Sequence, residues 1–405
     1  MANEKLLRAR LHKHWTIEYI CDQTGISEKT YRRLEAGTHK PHLSTLDYLC
    51  VLFAMSPEEL GFFSNTSPQT SSYTMTDEKI KRVPSFEEWN GCFSFGRLKT
   101  TTIVLDGDGT EAYLPANIHT HYDPEPAPFF KEVIQAKRQI QQEQEENQQH
   151  GKPYQWNGEK YHLSKIVMSR EPLYESMVLG LWFKPRDHYT GLATRRCLDN
   201  PDFRKKYVPD DWSTPVIGMS CSMGVDLIVV SSDGYAFLTQ RGQNQSVHQG
   251  MFHSSVSEGV SPSFDRSTVG QAPDLYKCAC RGISEELGIH EPADFSLSAI
   301  QFLSFSVDTH YALYGLRGMV KVNKTAEDIL RNWRAGVKDK MENKKIFAVP
   351  FTPQDVCSFV FSHEPFAGLI CLYHALVHEF GREEVNSVIS SYEGVFISDD
   401  SRKLS

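Results

Sequence analysis

The chain has 405 residues, of which 40% are hydrophobic and 23% charged; this excludes a disordered or fibrous chain and leaves room for several domains. The net charge of −8 conceals an asymmetry, because residues 1–45 hold 8 Lys/Arg against 5 Asp/Glu, a net of +3, and the rest hold 35 against 46, a net of −11. A basic head on an acidic body excludes a protein that coats nucleic acid along its length and points to a contact confined to one end.

In chain order, the first strong pattern is Ile17–Ala36, IEYICDQTGISEKTYRRLEA. It predicts two short helices joined by a tight turn. Gly25 supplies the positive φ of the turn, and Cys21 is the small residue facing the second helix. Ile26, Tyr31 and Leu34 face inward, Ser27 caps the second helix, and Gly37 followed by Pro41 ends it. Ser56-Pro57-Glu58-Glu59 starts a further helix. At 64–76, SNTSPQTSSYTMT has eight Ser/Thr in thirteen residues and reads as a flexible linker.

Thr101–Leu105 reads as a strand ending in Asp106-Gly107-Asp108-Gly109, a solvated turn that lacks the spacing of a calcium loop. His119, His121 and Asp123 form H-x-H-x-D among Pro115, Pro124 and Pro126, which predicts a polar loop rather than a metal site. Phe129, Phe130, Val133, Ile134 and Ile140 predict a helix that runs into an all-polar tail. Strands follow at Tyr161–Met168, Met177–Phe183, Val225–Val230 and Tyr235–Thr239, the last two flanking a Ser-Ser-Asp-Gly turn. Asp274–Leu287 is a helix pattern stopped by Gly288. Strands at Ile300–Val307 and Tyr311–Val322 precede helices near Ala326–Glu342 and Pro365–Phe380, where His374 and His378 read as ordinary helix-face residues. No apolar run reaches the length of a membrane span, and the polar start has no targeting core. Nine scattered cysteines, with only a C-x-C pair at Cys278 and Cys280, predict reduced thiols in a cytoplasm.

With its LEAGTHKP and STLDYLCVLFAMSPEELGF segments, the stretch 1–62 resembles the Cro/C1-type (lambda repressor-like, XRE) DNA-binding domain. The resemblance implies an all-α head of five helices whose second motif helix enters the major groove of double-stranded DNA. Glu28, Lys29 and Arg33 would then face base edges, with Ser27 at the helix tip, and Arg32, Thr16 and Ile17 would lie near phosphates. Glu18 stands where the family often places glutamine, so phosphate attraction is weakened and dimerisation becomes important.

Arg281–Ile289, RGISEELGI, resembles the close of the Nudix box, R-E-U-x-E-E-x-G-U with U a bulky aliphatic. In that family the glutamates hold a divalent metal, here magnesium, against a pyrophosphate; the match makes Glu285 and Glu286 the metal-binding and catalytic candidates. Arg281 can pair with Glu285 one turn on. Gly282 replaces the glutamate after the arginine, and Pro273 stands where the upstream box glutamate belongs. Glu258 and Asp265 could substitute as ligands; Arg241, Glu258 and Arg281 are the candidates for binding a nucleotide-like molecule.

The expected organisation is multidomain: a helix-turn-helix head over 1–62, a linker over 63–76, a strand-rich middle region over 77–214, and a Nudix-like α/β/α sandwich over 215–392 closing an α/β (α+β) body. The function expected is a homodimeric DNA-binding transcriptional regulator whose body senses a nucleotide-like ligand. The alternative is an active hydrolase of nucleoside-diphosphate linkages that the head localises.

Overall fold

The computed structural model describes residues 3–13, 15–24, 26–39, isolated positions between 45 and 62, then 92–125, 127–152, 154–170, 177–242, 247–268, 270–338, 343–363 and 365–400. Gly25, Pro41, the Ser56–Glu59 helix start and the linker lie outside the described residues. The chain divides into two compact units, Met1–Lys79 and Ile80–Ser405.

In the first unit α1 is Glu4–His12, α2 Ile17–Thr24 and α3 Glu28–Glu35. Their inward faces bury Leu6, Ile20, Tyr31 and Leu34 together with Leu49, Phe53 and Leu60. Ser27 caps α3 by accepting from the Thr30 amide at 3.2 Å. At the other end Gly37 takes φ +63°, and the amides of Gly37 and Thr38 return to the carbonyls of Leu34 and Arg33. That is a Schellman closure, which needs a left-handed residue where the glycine stands. Arg10 grips Glu35 through Nε at 2.6 Å and Nη2 at 3.3 Å, tying α1 to the end of α3.

The second unit is built on one mixed sheet of eleven strands. A separate hairpin, β1 (Ser94–Phe95) with β2 (Leu98–Lys99), precedes it. The sheet strands are β3 Thr102–Asp106, β4 Ile118–Tyr122, β5 Glu159–Arg170, β6 Met177–Asp187, β7 Cys221–Val230, β8 Tyr235–Arg241, β9 Phe252–His253, β10 Val256–Gly259, β11 Ile300–Asp308, β12 Leu313–Lys321 and β13 Asn343–Pro350. The main path runs β3-β11-β12-β7-β5-β6-β4, with β10 and β8 also on β7, and β13 and β9 on β8. Strands on both sides of residue 215 therefore share one ladder, joined where His162 pairs with Ser222 and Leu163 with Cys221.

The helices are α4 Lys131–Gln149, α5 His188–Leu198, α6 Pro201–Tyr207, α7 Pro262–Asp265, α8 Leu275–Leu287, α9 Ala326–Ala335, α10 Pro353–Ser362, α11 Leu369–Phe380 and α12 Arg382–Asp400. Alternation along β7 separates two cores. Val225, Leu227 and Val229 pack with Cys278, Ala279 and Ile283 of α8. Ile228 and Val230 pack with α10, α11 and α12.

Several local expectations need correction. His119 and His121 lie on a strand, β4, rather than a loop, because the prolines sit outside the five residues that pair with β6. The helix expected to reach Glu342 stops at Ala335, where Gly336 adopts φ +125°. A helix-face reading of His374 is incomplete, since the ring is fully buried with Nδ1 2.6 Å from Ser304 Oγ. The Asp-Gly turn is as expected in backbone, with Gly107 and Gly109 at positive φ, but Asp108 is held by Arg382 at 2.6 Å. Among the described residues no helix is long and apolar enough to cross a membrane, and the eight described cysteines are free thiols.

Candidate functional site

On α3 the inward residues Tyr31 and Leu34 leave Glu28, Lys29, Arg32 and Arg33 exposed on the outer face. They follow from the 3.6-residue period: two positions buried, the intervening ones outward. A shallow depression of about 430 Å³ is lined by Glu28, Lys29, Arg32, Arg33 and Ala36. Glu28 is engaged by Arg32 one turn on, at 3.0 Å from Nε and 2.5 Å from Nη2. That exposed pair adds little stability. It does pre-position Arg32 and shield Glu28. Thr16 and Glu18 are exposed at the start of α2, and Ser27 is exposed at the tip of α3. Of the seven residues named for DNA contact six are thus exposed, on α3 and at the start of α2, and Ile17 is half-buried against the helix core.

In the second unit α8 starts at Asp274, whose side chain accepts from the amides of Tyr276 and Lys277, and ends at Gly288 with φ +66°. Asp274 is therefore the N-cap of this helix. Arg281 lies at the centre of the box. Its Nε and Nη2 reach Asp265 Oδ1 and Oδ2 at 2.9 and 2.8 Å, and Nη1 lies 2.9 Å from Glu258 Oε1. Nη2 also donates to the Gly259 carbonyl at 3.0 Å, and Nη1 lies 3.4 Å from Glu285. Burial opposes this charge, but the Asp265 hydrogen bonds and the Glu258 carboxylate outweigh it and raise the guanidinium further above its ordinary value.

Glu285 also receives Lys338. Glu286 is buried; it accepts from the Ser257 amide at 2.9 Å and from Asn343 Nδ2 at 2.7 Å. Magnesium does not fit these carboxylates as they stand. The position a cation would take among Glu258, Asp265 and Glu285 is filled by the guanidinium, and Glu286 is spent on structural donors. Among the described residues no group of three His, Cys, Asp or Glu side chains is arranged to hold a metal ion. Gly282 explains why the missing glutamate cannot simply be restored: a Cβ there would lie 2.7 Å from Val256 Cγ1 and 2.9 Å from Glu258 Cβ.

The structure brings Arg281, Glu258, Asp265 and Glu285 together and sets Glu286 on a different set of partners. Arg241 is elsewhere, at the end of β8, where its amide bonds Met251 and it pairs in register with Asn343. Sequence reasoning missed Lys338 and Asn343; each lies more than fifty residues from its partner, with no local signal. His119, His121 and Asp123 do not converge: His121 stacks on Trp182 at 4.3 Å, and Asp123 pairs with Lys184 at 2.8 Å.

Comparison with known proteins bears mainly on the first unit. The HTH-type transcriptional regulator AnsR of Bacillus subtilis is 35% identical over 57 residues, 14% of this chain and 49% of that protein. The chain thus spans about half the length of the curated relative it matches. Among solved structures, DR0079 of Deinococcus radiodurans is 13% identical, covering 38% of this chain and 80% of that one with a TM-score of 0.25. The MutT protein of Methanosarcina mazei is 15% identical, covering 40% and 94%, with a TM-score of 0.24. A helix-turn-helix family model matches residues 6–60, so the N-terminal unit carries a helix-turn-helix domain.

Proposed function

We propose that the protein is a sequence-specific DNA-binding transcriptional regulator, with α3 as the reading helix and a body that senses a small ligand without hydrolysing it. The observation that carries this reading is the Ser27-capped α3, which turns Lys29, Arg32 and Arg33 outward within the segment that matches the helix-turn-helix family. Lys29 in the first turn of α3 and Arg33 one turn on reach bases, and Thr16 meets the backbone. The modest +3 of residues 1–45 favours a dimer on two half-sites. Non-hydrolysis is supported by the guanidinium seated among the box carboxylates.

The test is selection of bound sequences from a random DNA pool with the full-length chain, followed by titration of the winner. Arg33→Ala is expected to weaken the selected site by about 1–3 kcal/mol while leaving random DNA little affected. Failure to enrich any sequence, or equal loss on random DNA, refutes the reading. Incubation with nucleoside diphosphates and magnesium is expected to give no turnover above a protein-free control; sustained turnover sensitive to Glu286→Gln would restore the hydrolase alternative.

A further inference from the structure

The polar side chains on the outer side of α3 fall into two classes. Ser27 and Thr30 spend their hydroxyls on each other, with Oγ and Oγ1 2.8 Å apart, and Ser27 Oγ also accepts from the Thr30 amide at 3.2 Å. Glu28 and Arg32 are likewise committed, because Nε and Nη2 of Arg32 both converge on Glu28 Oε1. Lys29 and Arg33 form the other class. Both are exposed, and among the described residues neither side chain has a hydrogen-bond or ion-pair partner.

The division follows from spacing. Positions 28 and 32 share one strip of the helix and positions 29 and 33 the next, one turn apart in each case. A Glu–Arg pair at i, i+4 forms readily and holds Arg32 back on its own helix. Lys29 gains nothing within α3, since a cation in the first turn meets the positive end of the helix dipole. Its ammonium is left for a partner outside the chain.

What that partner must offer follows from donors and acceptors. Lysine and arginine side chains only donate. In the major groove guanine presents two acceptors, O6 and N7. Adenine sets a donor beside its N7, thymine has O4 alone beside a methyl, and cytosine presents a donor. Two donor-only side chains therefore select guanine at two positions. Four helical residues rise about 6 Å and stacked base pairs lie about 3.4 Å apart, so the positions are about two base steps apart.

We propose that each half-site bound by α3 presents two guanines separated by one base pair, one read by Lys29 and the other by Arg33, and that the Glu28 clasp keeps Arg32 out of the reading pair. The inference rests on α3 being the reading helix and adds which bases it selects.

The experiment is selection from random DNA with the full-length protein, followed by fluorescence anisotropy on duplexes altered one base at a time. The selected half-site is expected to carry guanines at this spacing. Replacing either guanine with 7-deazaguanine, which pairs normally but lacks the N7 acceptor, should weaken wild-type binding about tenfold. Arg33→Ala should abolish that effect at one position and Lys29→Ala at the other. Arg33→Gln should move the preference at its own position to adenine and leave the second guanine in place. Glu28→Gln, which releases Arg32, should strengthen binding to unrelated DNA severalfold and narrow its ratio to the selected site; an unchanged ratio overturns the role given to the clasp. A selected site without guanines at this spacing, a 7-deazaguanine effect that survives both alanine variants, or an unchanged base preference in Arg33→Gln overturns the proposal and leaves a sequence-specific regulator standing. Failure to select any sequence overturns both.

Discussion

Replacing Arg281 with methionine tests whether the box now works as a structural clasp. Asp265 is fully buried, and both of its oxygens are held by Arg281, at 2.9 and 2.8 Å; its other donor is the Ser261 amide at 2.7 Å. Methionine fills the same volume but leaves that carboxylate, and Glu258 beside it, without a cation. Removing one partner of a buried pair costs about 3–5 kcal/mol. For the second unit, Ile80–Ser405, an unfolding entropy of about 2.1 cal/mol/K per residue turns this into a fall of about 4–7 °C in melting temperature.

The paired variant separates charge from packing. Arg281→Met combined with Asp265→Asn removes both buried charges and should recover at least half of the loss, since apolar replacement of a whole buried pair is often neutral. Urea unfolding of the four proteins, followed by far-UV circular dichroism, closes the cycle. A loss below about 1 kcal/mol for the single variant would place Asp265 in contact with solvent or another cation and refute the clasp.

Gly282→Glu, which rebuilds the box motif, should destabilise by about 1–3 kcal/mol through overpacking against Val256 and Glu258, and should gain no magnesium-dependent turnover; a stable, active variant contradicts the packing argument. Glu286→Gln turns an amide donor toward either the Ser257 amide or Asn343, so thermal unfolding should show a loss of about 1–3 kcal/mol. Glu18→Gln should raise affinity for random DNA severalfold and steepen its salt dependence, read by fluorescence anisotropy.

Acid stability is set by buried rings: burial lowers His162 and His374 to about 3 and His188 to about 4. Their folded values lie below the unfolded value of about 6.5, so their stabilisation is complete above that pH and is lost as pH falls from there toward 3. At pH 5 each fully buried ring should remove about 2 kcal/mol relative to pH 8. The urea midpoint at pH 8, 6.5 and 5 measures it, and His374→Gln should flatten the slope.

The parts of the fold that were legible in the sequence are those set by local chemistry. Ser27 and Gly37 bound α3, and Asp274 and Gly288 bound α8, because a cap and a left-handed stop are properties of one or two residues. The strand from 300 to 308 was visible in its β-branched and aromatic run, yet its neighbour β3 lies two hundred residues upstream, which no periodicity records. α5 was hidden because Thr190, Gly191 and Thr194 face inward, opposite to the usual pattern of an amphipathic helix. The box glutamates were found, but their partners were not. Lys338, in the segment after α9, and Asn343, at the start of β13, reach them, and only the folded sheet brings those together.

The segment that resembles the box therefore has its arginine and two glutamates engaged by partners within the fold. A metal site needs carboxylates whose charge is left uncompensated until the ion arrives. Here Arg281 links β10, α7 and α8 through Glu258, Asp265 and Glu285, so the same charges hold the helix to the sheet. Gly282 permits the close approach that this requires. The i, i+4 spacing of Arg281 and Glu285 serves either arrangement, which is why the motif alone could not distinguish them. What distinguishes them is the direction of Arg281, whose guanidinium is turned onto the three carboxylates.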